Sequence, residues 1–237
     1  MMTTTKLLLA AVASGLALGA YADEREIKGS AEAKSHQSLR IEAHVGEVEI
    51  RTTDKDQITW RLRLEPDHDD GWFSSRKDAA RAVAEAKVKT TAAGPRFELE
   101  LELPRGNDFD DVEEHWEIEV PVRFAVEVES NVGRVEVIGP AGGVEAELNV
   151  GELRVEVPSG KVDVRANVGE VRVISATKSP GEIRLSANIG DADLRIGDKR
   201  IQAERGFALG GGVSASQGGK DDISAKVNVG EVAVRID

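Results

Sequence analysis

Two acidic segments contain the residue types that could bind a metal ion. The first is Asp67-His68-Asp69-Asp70, and the second contains Asp108, Asp110, Asp111, Glu113 and His115. Clusters of carboxylate oxygens suit Ca²⁺ and Mg²⁺, and histidine nitrogen suits Zn²⁺. The spacing of these residues matches neither a calcium-binding loop nor a zinc motif. Solvated loop tips are therefore the favoured interpretation, and neither a metal site nor a cofactor is predicted.

The residues needed for nucleophilic catalysis or phosphate binding are not arranged in any known motif. The sequence has no cysteine, and it contains neither Gly-x-Ser-x-Gly nor His-Glu-x-x-His. The Gly-rich stretch 206–219 lacks the Lys-Ser/Thr of a phosphate-binding loop. No catalytic residue is predicted, so the chain is interpreted as a non-enzyme. The pair Trp72-Phe73 is a candidate platform for a sugar or a protein, and its ordinary role would be to pin its own loop.

The charge of the chain argues against anionic partners. There are 31 Lys and Arg against 43 Asp and Glu, which gives a formal net charge of −12. An acidic surface repels phosphate backbones, so nucleic acid is not a predicted partner. The same surface remains compatible with cations and with basic protein surfaces.

The first 22 residues have the pattern of a secretory signal. Lys6 precedes an apolar stretch from Leu7 to Gly19, and Ala20-Tyr21-Ala22 has the form of a cleavage site. We therefore predict an exported chain, periplasmic or secreted, that is not transmembrane after cleavage. Since it has no cysteine, its fold must be stable in an oxidising compartment without disulfides.

A seven-residue segment recurs six times, and this repeat is the strongest signal in the sequence. The copies begin at His44, Asn131, Asn149, Asn167, Asn188 and Asn228, and each has glycine at its third position. Apolar and polar residues alternate after each glycine and before each copy, as in strands with one buried face. Each unit is therefore predicted to contain two strands. The Asn-x-Gly turn joins them, and a Pro/Gly turn of variable length follows.

Repeats of near-constant length favour a β-solenoid, in which each unit is one rung with two strands. An antiparallel β-meander or sandwich is the alternative all-β architecture. The predicted organisation is a signal peptide (1–22), an N-terminal β cap with two acidic insertions (23–125) and a repeat solenoid (126–237). Within the cap, an Ala-rich segment from Ser75 to Val88 predicts a short helix, or a strand in its later half.

The stretch from Glu117 to Val173 resembles the bacterial putative-adhesin family of unknown function. The resemblance depends on Val120-Pro121, Ser130-Asn131-Val132-Gly133 and the repeated Gly-x-Val-x-Val units, and it extends over roughly residues 38 to 237. It implies a strand-rich β-solenoid. The motif indicates the architecture of the chain, and because it is short it does not indicate an activity.

Stacked rungs would align equivalent side chains in columns. One predicted column contains Arg134, Glu152, Glu170 and Asp191, and another contains Glu127, Glu145, Asp163 and Arg184. Neighbouring carboxylates repel, so a cation, a basic partner or the nearby Arg154, Arg165 and Arg172 must relieve the repulsion. The arginines are the favoured explanation. The column of Asn131, Asn149, Asn167 and Asn188 is interpreted as structural, because asparagine forms turns through its own side chain.

These observations predict a non-enzymatic, exported, adhesin-like protein that binds or scaffolds at the cell envelope through a flat β surface. The partner would be an unknown envelope protein or polysaccharide, and the oligomeric state stays open. The alternative is a carbohydrate-active or cation-dependent enzyme built on a β-solenoid. A third hypothesis is self-assembly through the ends of the solenoid.

Overall fold

The computed structural model describes residues 24–67, 76–201, 204–205 and 210–237. Within these ranges, fourteen strands form one mixed sheet. The strands are β1 (Arg25–Glu32), β2 (Ser38–Thr53), β3 (Gln57–Pro66), β4 (Lys87–Ala93), β5 (Arg96–Glu102), β6 (Val112–Pro121), β7 (Ala125–Ile138), β8 (Val144–Val157), β9 (Val162–Ser175), β10 (Pro180–Ile196), β11 (Lys199–Ile201), β12 (Glu204–Arg205), β13 (Gly211–Ser216) and β14 (Asp221–Ile236). They are accompanied by the helix α1 (Arg76–Glu85) and a 3-10 turn at Phe109–Asp111. The predicted all-β class is confirmed.

The Ala-rich segment before β4 contains both elements that its sequence suggested. Helix α1 occupies its first part and packs against β3, and β4 begins at Lys87. The predicted signal peptide and the Trp72-Phe73 pair lie outside the described residues. In the described ranges, no helix combines the length and the apolar character needed to cross a membrane.

Six long strands, one from each repeat, lie parallel and in register. Their order across the sheet is β2, β7, β8, β9, β14 and β10. The repeat glycines face each other at every step: Gly46, Gly133, Gly151, Gly169, Gly230 and Gly190. The repeated sequence therefore sets the register, since each strand offers its neighbour the same pattern of apolar and polar side chains.

The order of the last two repeats differs from the order expected along the chain. Strand β14 lies between β9 and β10. Glu231 therefore separates Glu170 from Asp191, although the sequence predicted these two residues as neighbours in one column. The segment that follows β10 accounts for this order. Strands β11 and β13 pair with β10, and the chain then returns to fill the place between β9 and β10.

Each long strand bends at its repeat glycine, where φ lies between +128° and +139°. On β8, the buried side chains before the bend are Val144, Ala146 and Leu148, and those after it are Leu153, Val155 and Val157. The buried set changes from even to odd numbers, so the bend reverses which side chains face inward. The predicted Asn-x-Gly turn between two strands is therefore a bend within one continuous strand of 14 residues.

The N-terminal strands extend the sheet beyond β2. Strand β5 pairs with the first half of β2 and β6 pairs with its second half, both in parallel. Strands β4, β3 and β1 then add antiparallel pairs. The sheet is continuous from β1 through the repeat strands, whereas the boundary between cap and repeat at residues 125 and 126 stays a prediction.

Candidate functional site

A row of exposed aliphatic side chains follows the line of the bends. The aliphatic ridge consists of Val132, Val150, Val168, Val229 and Ile189, whose exposed fractions lie between 39% and 49%. Among the described residues, only one other large hydrophobic side chain, Val122, is comparably exposed. Since the five residues come from adjacent parallel strands, they form a row with a repeat of about 4.8 Å.

The glycine beside each ridge residue makes this exposure possible. An ideal Cβ placed on Gly151 would lie 1.8 Å from the carbonyl oxygen of Gly133, and the same overlap arises between Gly169 and Gly151. Glycine is therefore required both for its positive φ and for the close approach of neighbouring strands. The bend that it permits turns the preceding valine outward.

The asparagines of the repeat form a hydrogen-bonded ladder on one side of the ridge. Asn167 Nδ2 donates to Asn149 Oδ1 at 3.1 Å, Asn228 Nδ2 donates to Asn167 Oδ1 at 2.8 Å, and Asn188 Nδ2 donates to Asn228 Oδ1 at 2.7 Å. Each donating amide uses one N–H in these bonds, which leaves its second N–H for solvent or a ligand. The predicted structural role of the asparagines agrees with these bonds, and β14 again lies between β9 and β10.

A charged row runs beside the asparagines on the first half of the strands. Its members, in order across the sheet, are Glu42, Glu129, Glu147, Arg165, Lys226 and Ser186. Arg165 lies 2.5 Å from Glu147, and Arg40 lies 2.8 Å from Glu129. A shallow groove of about 460 Å³ separates most of this row from the asparagines. We call the charged row, the asparagines and the aliphatic ridge together the ridge face.

An acidic row lies on the other side of the bends. It consists of Glu47, Arg134, Glu152, Glu170, Glu231 and Asp191. Arg134 lies 3.1 Å from Glu152, and Arg172 contacts Glu170. Arg154 contacts Glu136 and Glu156, and Arg165 contacts Asp163, so the three predicted arginines do pair with nearby carboxylates. The second predicted column also gains a member, because Ser224 separates Asp163 from Arg184.

The end of the asparagine row is occupied by histidine instead of asparagine. His44 Nδ1 lies 3.0 Å from Glu114 Oε1, and the backbone N–H of His44 donates to the same oxygen at 3.0 Å. Trp116 Nε1 donates to Glu114 Oε2 at 2.7 Å, and Phe109 stacks on the imidazole. Glu114 is 1% exposed, so these donors compensate the burial of its carboxylate. The cluster therefore fixes the orientation of His44 at the end of the groove.

The structure brings the ends of the two predicted acidic segments together. The backbone N–H of Asp67 donates to the carbonyl of Asp111 at 2.9 Å, and His115 lies 3.5 Å from Glu113 and 3.8 Å from Glu47. Asp108 precedes the 3-10 turn that contains Asp110. His68, Asp69 and Asp70 lie outside the described residues. Among the residues that are described, no three His, Cys, Asp or Glu side chains are grouped as a metal site would require.

Sequence reasoning missed the aliphatic ridge, Glu231 and Glu114. The alternation before each bend places Val150 in the same phase as the buried Ala146 and Leu148, so it predicts an inward side chain. The available signal was the adjacent glycine, since a positive φ interrupts the alternation. The environment of Glu114 could not be inferred, because His44 reaches it only through the pairing of β2 with β6, although Trp116 lies two residues further along the same strand.

Comparison with solved structures shows a shared fold. The chain is similar over 90% of its length to all of a putative cell adhesion protein from Clostridium sporogenes ATCC 15579, with a TM-score of 0.57 and 12% identity. A putative adhesin from Bacteroides fragilis NCTC 9343 aligns with 90% of this chain and 97% of its own, with 10% identity. The TM-score of that alignment is 0.32. No family model matches the sequence, and the search of curated proteins found no match.

Proposed function

We propose that this chain is a non-enzymatic, adhesin-like protein that binds an envelope protein or polysaccharide through its ridge face. The observation that carries the proposal is the aliphatic ridge itself. Five of the six most exposed large hydrophobic side chains of the described residues lie in this one row. Exposed apolar side chains gathered in one place on a soluble surface are characteristic of interaction sites.

The polar rows beside the ridge suit a binding surface. Each donating asparagine keeps a second amide N–H for a partner, and these N–H groups recur from strand to strand. The charged row adds carboxylates and two basic side chains. An extended partner could therefore form hydrogen bonds along the ladder while its apolar groups contact the ridge. This combination of a central apolar strip and polar margins is typical of protein interfaces.

A β-solenoid with two strands per rung is part of the proposal, and chain length supports it. A strand of 14 residues, such as β8, would extend for about 46 Å if it were straight. The four residues between Val157 and Val162 can bridge only about 17 Å to the start of the parallel strand β9. The bend at Gly151 must therefore bring the two ends of β8 close together, as in one rung of a coil.

The proposed location is the periplasm or the exterior of the cell. The signal-like segment 1–22 and the absence of cysteine support export. The name of the structural neighbour from Clostridium sporogenes, a putative cell adhesion protein, agrees with a role at the cell surface. The net charge of −12 disfavours anionic lipid as the partner and leaves neutral polysaccharide or protein.

Binding of the mature chain to purified envelope polysaccharide and to envelope proteins tests this proposal. We expect the double variant Val150→Lys, Val168→Lys to lose affinity by at least about tenfold, because two charges would replace the centre of the apolar row. Val122→Lys is the matched control, since Val122 is 45% exposed and lies outside the ridge.

Equal binding by the ridge variant and the wild-type chain would contradict the proposal, as would the absence of binding to both fractions. Release of soluble sugars from the polysaccharide would instead support the enzyme alternative. Thermal unfolding of each variant, followed by circular dichroism, would show that the substitutions act on the surface. All three valines are exposed, so their replacement should leave the core intact.

A further inference from the structure

The order of charges in the charged row is complementary to the same row running in the opposite direction. Across the sheet it runs from three glutamates, Glu42, Glu129 and Glu147, to two basic residues, Arg165 and Lys226, and ends at Ser186. Read in the opposite direction, each acidic position except the outermost one meets a basic position. This order exists only in the folded chain, because Lys226 belongs to the last repeat and enters the row through β14.

A two-fold axis between β8 and β9 would use this complementarity. It would place Glu147 opposite the partner's Arg165, and Glu129 opposite the partner's Lys226. Each contact occurs twice by symmetry, so four pairs of opposite charge form. Within one chain Arg165 already lies 2.5 Å from Glu147, so the two central pairs would close a ring of alternating charges around the axis.

The same axis aligns the other two rows of the ridge face. Val150 would meet the partner's Val168, and Val132 would meet the partner's Val229. Asn149 would meet the partner's Asn167, where the spare amide groups can exchange hydrogen bonds. The acidic row follows the glycine bend and lies on the other half of each strand, so its carboxylates remain outside this contact. Glu145 and Asp163 lie two residues before the charged row on the same face, so the axis brings these like charges together at the margin of the contact and weakens it.

We propose that a second copy of this chain is a partner of the ridge face, held in antiparallel orientation about this two-fold axis. The inference rests on the proposed function, which it deepens by naming the partner. Two observations favour a second copy over an unrelated partner: the reversed charge order, and the position of four of the five ridge residues, which pair with one another about an axis between β8 and β9. A homophilic contact of this kind suits an adhesin-like protein, since it joins identical molecules.

The size of the contact determines the expected strength. Six strands at about 4.8 Å give a strip of about 24 Å, and three columns of side chains make it about 15 Å wide. The resulting area, on the order of 400 Å² per copy, is about half of a standard interface. The dimer should therefore be weak and reversible, with a dissociation constant in the micromolar range or above.

Charge reversal at the axis tests the geometry directly. Sedimentation equilibrium of the full mature chain should show a dimer that Glu147→Arg or Arg165→Glu weakens at least about tenfold, since each change sets like charges across the axis. The variant with both changes should dimerise again, because the row regains its reversed order. An equimolar mixture of the two single variants should form the heterodimer, in which every central pair is opposite in charge.

Arg172→Glu is the matched control, because Arg172 is an exposed arginine that pairs with Glu170 on the other half of the strands. This variant should dimerise as the wild type does. A double variant that stays monomeric, or single variants that do not combine, would overturn the two-fold geometry.

A wild-type chain that remains monomeric up to millimolar concentration would overturn the proposed second copy as partner. If the monomer still bound envelope polysaccharide or protein through Val150 and Val168, the proposed function would stand and only this inference would fail. Dimerisation that the double variant Val150→Lys, Val168→Lys leaves unchanged would also count against it. In that case the dimer would form through another surface, such as the sheet ends.

Discussion

Replacing Gly151 by alanine tests whether the stacked glycines hold the long strands together. Gly151 lies near the middle of the parallel strands, with φ at +139° and its α-carbon facing the carbonyl oxygen of Gly133. An alanine here must adopt a backbone conformation that is almost restricted to glycine. It must also place a methyl group where the neighbouring strand already lies.

The backbone conformation alone should cost about 1–3 kcal/mol. The added Cβ would lie 1.8 Å from the oxygen of Gly133, whereas an ordinary carbon–oxygen contact is about 3.3 Å. Strands β7 and β8 must therefore separate by about 1.5 Å at this point, which stretches the adjacent hydrogen bonds beyond their normal range. We expect a total loss of roughly 4 kcal/mol or more, a large part of the stability of a typical domain.

Two other glycines separate the contributions to this loss. Gly94 has φ at +60° with open space around its Cβ position, so Gly94→Ala should cost only the backbone part, about 1–2 kcal/mol. Gly212 has ordinary space, with Leu185 oxygen at 3.6 Å, so Gly212→Ala should change stability by less than about 1 kcal/mol. Urea unfolding followed by the fluorescence of the buried Trp60 and Trp116 would measure all three variants.

The order Gly151, Gly94, Gly212 is the expected ranking of the losses. If Gly151→Ala costs no more than Gly94→Ala, the close approach of the glycine backbones is not limiting, and the argument for the stacked bends is wrong. A soluble Gly94→Ala protein beside a Gly151→Ala chain that is recovered only as aggregate would agree with the expected ranking.

Three further predictions concern polar groups. Glu114→Gln should cost about 2 kcal/mol or more in urea unfolding. The backbone N–H of His44 and Trp116 Nε1 donate to different oxygens of this buried carboxylate, and an amide would set its own N–H₂ group against one of these donors. Half-exposed Glu113→Gln should cost less than about 0.5 kcal/mol. Asn167→Ala removes one donated and one accepted ladder bond and should cost about 1 kcal/mol in thermal unfolding. The hydrogen bond from Lys28 lowers the pKa of Glu26 below its usual 4.5. The contribution of this ion pair to folding stability is therefore fully present above pH 4.5 and is lost as the pH falls through the lowered pKa. Lys28→Gln should raise this pKa toward 4.5 in an NMR titration, and an unchanged pKa would contradict the assignment.

The strands themselves could be predicted from local sequence. Alternation such as Phe97-Glu-Leu-Glu-Leu marks a strand with one buried face, and β5 begins at Arg96. The repeat predicted that equivalent residues would align, and Val135 does pair in register with Leu153. These predictions succeed because alternation depends only on neighbours along the chain.

Candidate binding residues were harder to predict. The acidic segments and Trp72-Phe73 were candidates because of their residue types. Trp72-Phe73 and most of the first acidic segment lie outside the described residues, and the second acidic segment forms no cluster of three possible metal ligands within them. Residue type did not indicate the ridge face, because valine and asparagine side chains are not typical catalytic or metal-binding groups. Its significance depends on exposure and on the alignment of several strands, neither of which residue type reveals.

The sequence alone determined the all-β class, the register of the repeats and the positions of the glycines at which the chain changes direction. Tertiary structure decided the rest. It placed β14 between β9 and β10, which brought Lys226 beside Arg165 and Glu231 beside Glu170. It also turned Val150 outward. The physical reason is that strand order and side-chain direction depend on hydrogen bonds between segments far apart in the chain, whereas alternation and turn chemistry act between neighbours.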